Sequence, residues 1–238
     1  MLYIIGLGLN QNSITEEGKQ ALKKCKKIYL ENYTVKFPYS QNALEKSLKR
    51  KLTSLGRKKV ESDFLISEAK KQNIALLVYG SPLFATTHTT ILEDCREAKI
   101  KTKIIFNSSI FDAISLTGLQ LYKFGKIASM PQWETNFQPD SFLNLVLQNQ
   151  KSNSHSLILI DIDLSSKEAL TQLQQSINKR FIKLPKILIC SRLGTSQEKI
   201  YYNTLKNLKN KNIKEPFCII IPSKLHFTEE DFLKRFNQ

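Results

Sequence analysis

Apolar runs of four to seven residues recur along the chain, separated by longer segments in which apolar positions return every three or four residues. This is the pattern of alternating β and α elements. It predicts strands at about 2–8, 27–31, 57–61, 74–79, 102–106, 126–130, 156–161, 186–191 and 217–221. The first helix should start after Ser13 or Thr15, where a hydroxyl cap precedes two acids, and run to about Lys26. Further helices are expected at 41–53, 63–72, 88–98, 110–121, 140–150, 165–179, 196–209 and 228–236. Segments such as IALLVY and KILIC are apolar on both faces, which implies an α/β fold with parallel sheets covered by helices. The loop MPQWETNFQPD, with two prolines and the single Trp, interrupts the alternation. Two lobes are expected, 1–112 and 113–238, joined near Asp112.

A chain of 238 residues with 41% hydrophobic and 24% charged content can bury a real core, so disorder is excluded. The longest apolar stretches stay under ten residues, where a membrane-spanning helix needs about 20. The N-terminal MLYIIGLGLN lacks a basic leader region and reads as a strand, which predicts a cytoplasmic protein. The net charge of +15 would suit an acidic partner such as RNA. Against that, the excess rests on 30 Lys with only 6 Arg, and it is spread over the whole chain. Specific phosphate recognition leans on the Arg fork, so a solvated, compositional charge is the better reading and direct nucleic-acid binding is not expected.

The four cysteines form no CxxC pair, and the three histidines, His88, His155 and His226, show no metal-ligand spacing. The hydrolase elbow GxSxG and the GxxxxGK[ST] phosphate loop are both missing. Chemistry is therefore sought at the carboxyl ends of the predicted strands, where open α/β sheets bind ligands. Five ends stand out: Gly6-Leu7-Gly8-Leu9, Gly80-Ser81-Pro82, Asn107-Ser108-Ser109-Ile110, Ser191-Arg192-Leu193-Gly194 and Pro222-Ser223-Lys224-Leu225-His226. GLGLNQ fails the dinucleotide fingerprint, because position 11 is Gln where a third glycine is needed. In ATTHTT at 85–90, a threonine cap and a helix-start hydrogen bond for His88 are the simplest roles. Asp161 and Asp163 would share one strand face. His226 is credible either as a structural hydrogen bonder or as a ligand contact.

Taken in order along the chain, these pieces resemble the diphthine synthases, a family of the tetrapyrrole methylase superfamily of S-adenosylmethionine-dependent methyltransferases. The resemblance covers nearly the whole chain. It rests on MLYIIGLGLN, YLENYT at 29–34, GSPLFATTH at 80–88, NSSIFDAI at 107–114, GLQLYKFGK at 118–126, PDSF at 139–142, HSLILIDI at 155–162, SRLGT at 191–195 and IPSKLHFTEEDFL at 221–233. LENYT, ATTH and LQLYKFG are particular to the diphthine synthases. The resemblance implies a two-lobed tetrapyrrole-methylase-like fold of parallel and mixed sheets flanked by helices, with the ligand cleft between the lobes, assembled as a homodimer. It implies S-adenosylmethionine as methyl donor and S-adenosylhomocysteine as product. The acceptor would be translation elongation factor 2, whose histidine-borne 3-amino-3-carboxypropyl arm is methylated on its amino group up to the trimethylammonium form. Carried over by motif, cofactor contacts fall on Leu9, Ser81, Phe84, Ser109, Ile110, Ile160, Leu193 and His226. No catalytic residue and no metal are implied. Ser81 stands where the family usually has Asp, and Ser223 where it has Gly. The competing readings are a superfamily methyltransferase acting on a corrinoid or on ribosomal RNA, and a non-enzymatic basic RNA-binding protein.

Overall fold

The computed structural model describes residues 1–84 and 88–237. The chain divides into two compact units, Met1–Asp112 and Ala113–Gln238. In the first unit, β1 (Leu2–Gly6), β2 (Lys27–Glu31), β3 (Thr53–Leu55), β4 (Ile74–Val78) and β5 (Thr102–Ile105) form a parallel sheet in the order β3-β2-β4-β1-β5. The helices are α1 (Glu16–Lys23), α2 (Gln41–Leu48), α3 (Arg57–Val60), α4 (Phe64–Lys71), α5 (Thr89–Glu97) and α6 (Ile110–Ala113). Alternate residues of β1 explain why both faces of the sheet must be covered. Tyr3 and Ile5 pack with Ala21, Leu22 and Leu44, while Leu2 and Ile4 pack with Leu65, Ala69 and Ile91. Thr15 supplies the α1 cap, its hydroxyl accepting the Gly18 N–H at 3.1 Å.

The second unit carries a mixed sheet of β6 (Ala128–Met130), β7 (Ser156–Ile160), β8 (Ile187–Ser191), β9 (Lys199–Asn203) and β10 (Phe217–Ile221), ordered β6-β7-β10-β8-β9. Only β6 and β7 run parallel, and β10 is antiparallel to both of its neighbours. Its helices are α7 (Phe142–Lys151), α8 (Ser166–Lys179), α9 (Leu205–Leu208) and α10 (Phe227–Leu233). A capping box between Ser165 and Glu168 starts α8. No described helix is long and apolar enough to cross a membrane. All four cysteines are free and buried.

Three expected elements differ. The strand anticipated at 57–61 is instead the short helix α3, and the edge strand lies earlier, at Thr53–Leu55. Gly56 opens that helical turn, and of RKKV only Val60 is buried, so the segment has no strand face to pair. The helix anticipated at 196–209 is the edge strand β9 followed by α9. KIYYN is rich in β-branched and aromatic side chains suited to the half-buried face against β8, and the Thr204 hydroxyl caps the helix that follows. The helix expected at 110–121 breaks after Ala113 into a 3₁₀ turn that stops at Gly118, whose φ of 76° suits only glycine at little strain.

Candidate functional site

In the first unit, β4, β1 and β5 lie side by side, so their carboxyl ends meet at one edge. Leu7 N–H donates to Val78 O at 2.8 Å, and Gly8 and Gly80 exchange a pair of backbone hydrogen bonds at 3.1 and 3.0 Å. Both glycines are left-handed, with φ of 69° and 71°. Asn107 ties in the third strand: its Nδ2 donates to the carbonyls of Gly6 and Ser13, both at 3.0 Å. A methyl group at Gly6 would lie 2.6 Å from the Gly80 carbonyl oxygen and 2.9 Å from Asn107 Cβ, so the strand ends approach this closely only because position 6 has no side chain.

Five of the eight expected contact residues sit on this edge. Leu9 is buried, and its carbonyl accepts the Tyr79 hydroxyl at 3.1 Å. Ser81 is buried in the turn after β4. Ser109 is buried too, its N–H and hydroxyl both donating to the Asp112 carboxylate at 2.6 and 3.1 Å. Ile110 opens α6 and is half-buried. The Phe84 ring rests against Phe111 with centroids 4.1 Å apart, yet stays 44% exposed, which leaves a flat apolar surface at the edge.

The other half of the same edge, at the ends of β2 and β3, holds ionisable groups. Glu31 closes β2 at 1% exposure. Its carboxylate accepts the N–H groups of Tyr33 and Thr34 at 2.9 and 2.8 Å and the Thr34 hydroxyl at 2.8 Å, folding LENYT back on itself. His88 is equally buried, and neither ring nitrogen has a hydrogen-bond partner among the described residues. It occupies the cap position of α5 without making a cap bond, so the helix-start role expected from the sequence is not realised. The threonine caps at 86 and 87 lie outside the described residues. Tyr33 meets the His88 ring edge-on at 6.4 Å, and the Arg57 guanidinium lies over the other partner, the Tyr33 ring, at 5.2 Å. Burial pushes the His88 pKa down, against the upward pull of the Glu31 and Glu61 charges. An unmade hydrogen bond on a buried polar atom costs about 1–3 kcal/mol. Glu31 and Tyr33 were not singled out by residue type. The signal was that LENYT and ATTH follow strands that prove to be neighbours, β2 and β4.

In the second unit, the three expected contacts do not gather at one edge. Ile160 closes β7 and Leu193 lies buried in the turn after β8, between Arg192 and Gly194, both left-handed. Since β7 and β8 are both antiparallel to β10, their carboxyl ends share an edge. His226 follows β10, whose last residue Ile221 pairs with Ser156 at the start of β7, so it stands at the opposite edge. Asp161 and Asp163 fall in the turn after β7 and not on the strand.

His226 is exposed and caps α10, its ring accepting the Thr228 N–H. Its own N–H donates to Glu229 at 2.7 Å. Glu229 is fully buried and also accepts from Gln120 N at 3.0 Å, Lys123 Nζ at 2.5 Å and His155 Nε2 at 3.1 Å. Burial alone would raise its pKa, but these donors hold the carboxyl down at about 2. The Nδ1 of His155 accepts Ser223 N–H at 3.0 Å, which places the proton of a neutral imidazole on Nε2, facing Glu229. Burial pushes the His155 pKa down. The LQLYKFG segment thus braces the loop that precedes α10.

The chain matches the family model of the tetrapyrrole (corrin/porphyrin) methylases over residues 1–209. That class takes its methyl group from S-adenosylmethionine, and this chain is an S-adenosylmethionine-dependent methyltransferase. It is 38% identical to the diphthine synthase of Methanococcus maripaludis, with 98% of each chain covered. To the diphthine methyl ester synthase 2 of Candida albicans it is 33% identical, over 99% of this chain and 89% of that one. The crystal structure of a putative diphthine synthase from Entamoeba histolytica superposes with a TM-score of 0.90 at 32% identity, covering 100% of this chain and 98% of that one. The chain belongs to the diphthine synthase family.

Proposed function

We propose that this chain performs the methylation step of diphthamide biosynthesis, transferring methyl groups to the amine of the 3-amino-3-carboxypropyl arm on a histidine of translation elongation factor 2, up to the trimethylammonium form. The observation that carries this reading is the end-to-end match, in sequence and in fold, to diphthine synthases. The braced edge of the first unit supports it: left-handed Gly8 and Gly80 let backbone approach a ligand closely, and Phe84 offers an apolar face suited to an adenine. When bound, S-adenosylmethionine supplies an electrophilic methyl on a sulfonium cation. The residues of the first unit that would hold it are Leu9, Ser81, Phe84, Ser109 and Ile110; in the second unit, Ile160 and Leu193 stand at one sheet edge. The His226 contact implied by the resemblance lies at the other edge and is the least supported of the eight. Ser81 offers a neutral hydrogen bond where an acid is usual, which lowers the expected cofactor affinity.

The task of such a site is positional. Holding nitrogen, methyl and sulfur in line supplies up to roughly 7–11 kcal/mol in ideal cases. A cytoplasmic homodimer completes the reading. The name of the Candida relative favours one extension, a further methyl on the arm's carboxylate. The test is transfer of labelled methyl from S-adenosylmethionine to elongation factor 2 carrying the unmethylated arm, with ribosomal RNA and a corrinoid as competitors. Label in the factor alone is expected, and label in either competitor alone would overturn the reading.

A further inference from the structure

The acceptor of this proposed reaction is an amine, which at neutral pH carries the proton that blocks its attack. One proton must leave for every methyl that arrives. The cofactor-side residues of the first unit are poor acceptors for it: Leu9, Phe84 and Ile110 are apolar, Ser81 carries only a hydroxyl, and Ser109 is committed to Asp112. The same strand edge continues past β4 to β2, and there His88 stands four residues beyond Phe84.

His88 differs from an ordinary structural histidine in every relevant respect. It is 1% exposed, both ring nitrogens lack a partner among the described residues, and its side chain does not cap the helix it begins. Buried polar groups are nearly always paired, so this ring keeps its hydrogen-bonding capacity for something the folded chain does not itself provide. The charged and titratable groups that act on it are Glu31 from β2 and Glu61 after α3, with the Tyr33 ring against it and Arg57 over that ring. Burial keeps the imidazole neutral and therefore able to accept. The two carboxylates stabilise the imidazolium once it has formed.

We infer that His88 is the catalytic base, its unprotonated ring nitrogen taking one proton from the acceptor's ammonium before each N-methylation. The assignment rests on the function proposed above. In each round an N–H bond of the ammonium breaks toward the ring nitrogen, leaving the amine its lone pair. That pair forms the new C–N bond as the methyl carbon's bond to sulfur breaks, and the sulfur keeps the electrons as a neutral thioether. The ring proton passes to solvent before the next round. Three rounds release three protons and end at a trimethylammonium with no N–H left for His88 to bind. Methylating a carboxylate oxygen needs no proton removed, so ester formation does not depend on this residue.

The test is the pH dependence of the first N-methylation on elongation factor 2, in single turnover, for wild type and His88→Asn, with S-adenosylmethionine affinity measured alongside by calorimetry. Wild type should gain about tenfold per pH unit up to the amine's own pKa, because solvent sets the free-amine fraction and a ring with a lowered pKa carries the proton out of the site without changing that balance. His88→Asn should lose on the order of 10²-fold at pH 7. That loss should vanish as pH approaches the amine's own pKa, where the acceptor arrives already deprotonated, while cofactor affinity stays within about two-fold. A variant with wild-type rate and profile overturns the inference, as does a loss equal at every pH. His88→Gln, which keeps a hydrogen-bonding side chain but no titratable nitrogen, makes the same test should the Asn variant fail to fold, and a wild-type rate in it overturns the inference. A wild type inert on the factor but active on RNA or a corrinoid overturns the function itself, whereas an active wild type beside a normal variant overturns only His88.

Discussion

The first unit buries a histidine whose ring makes no hydrogen bond among the described residues, and the second buries one whose two ring nitrogens are both paired. His88 and His155 are 1% and 0% exposed, and burial pushes both pKa values down. His155 donates to Glu229 and accepts from the Ser223 backbone, so its burial is compensated and it fixes a loop. His88 has only the Tyr33 ring edge and the more distant carboxylates. The same residue type at the same depth therefore serves stability in one place and is a burden on it in the other. Proteins tolerate such burdens chiefly where function requires them.

The sharpest way to break this comparison is Glu229→Ala. Removing the carboxylate strands Lys123, His155 and two backbone N–H groups in a buried site, and breaking such a pair costs about 3–5 kcal/mol. Urea unfolding should show that loss, and a change under about 1 kcal/mol would mean the network is relaxed by water. His155→Phe should cost about 2–3 kcal/mol, since it orphans Ser223 N–H and takes one donor away from the buried Glu229 carboxylate. His88→Phe should be neutral or stabilising by up to about 1 kcal/mol, because it removes polar atoms that had no partner. Equal losses for the two Phe variants would erase the distinction drawn here.

The pH dependence sharpens it further. A histidine whose folded pKa lies below 6.5 binds more protons when unfolded, so its effect is absent above 6.5 and destabilises the fold as pH falls from there through the folded value. Wild-type stability should therefore decline between pH 7 and 5, and His88→Phe should flatten part of that decline without lowering stability at pH 7. Glu229 acts in a separate window, with stability present above its unfolded pKa near 4.5 and lost as pH falls toward about 2. Urea titrations at stepped pH read both, and an unchanged slope in His88→Phe would mean its ring titrates normally. A small effect also belongs to the third histidine. His226→Ala removes an exposed cap and should cost about 0.5–1 kcal/mol of stability. Calorimetry of the same variant decides whether His226 touches the cofactor: affinity unchanged while Leu193→Ala weakens it would assign the contact to the Ile160 and Leu193 edge alone.

What the sequence could say about these regions follows from how local the causes are. The strands β1, β4, β8 and β10 were legible because each is a short apolar run buried on both faces. The edge strands β3 and β9 were not, since a half-buried edge lacks that run and KIYYN fits a helical period as well. The glycine-bearing strand ends were legible because left-handed backbone selects glycine within the strand's own sequence. The contrast between the histidines was not. Glu229 lies 74 residues from His155 and 106 from Lys123, and which histidine finds a partner is decided by topology. The antiparallel course of β10, which separates His226 from Ile160 and Leu193, was likewise invisible, because an apolar run does not state its direction.

The central claim is that this chain methylates the amine of the modified histidine in elongation factor 2. Mass spectrometry of the peptide bearing the unmethylated arm, after incubation of the intact factor with the protein and S-adenosylmethionine, tests it most directly. The account predicts fragment ions that place one, two and then three methyl groups on the arm's nitrogen. A peptide that gains no methyl, or gains one only on the carboxylate while the nitrogen stays unmodified, would contradict it.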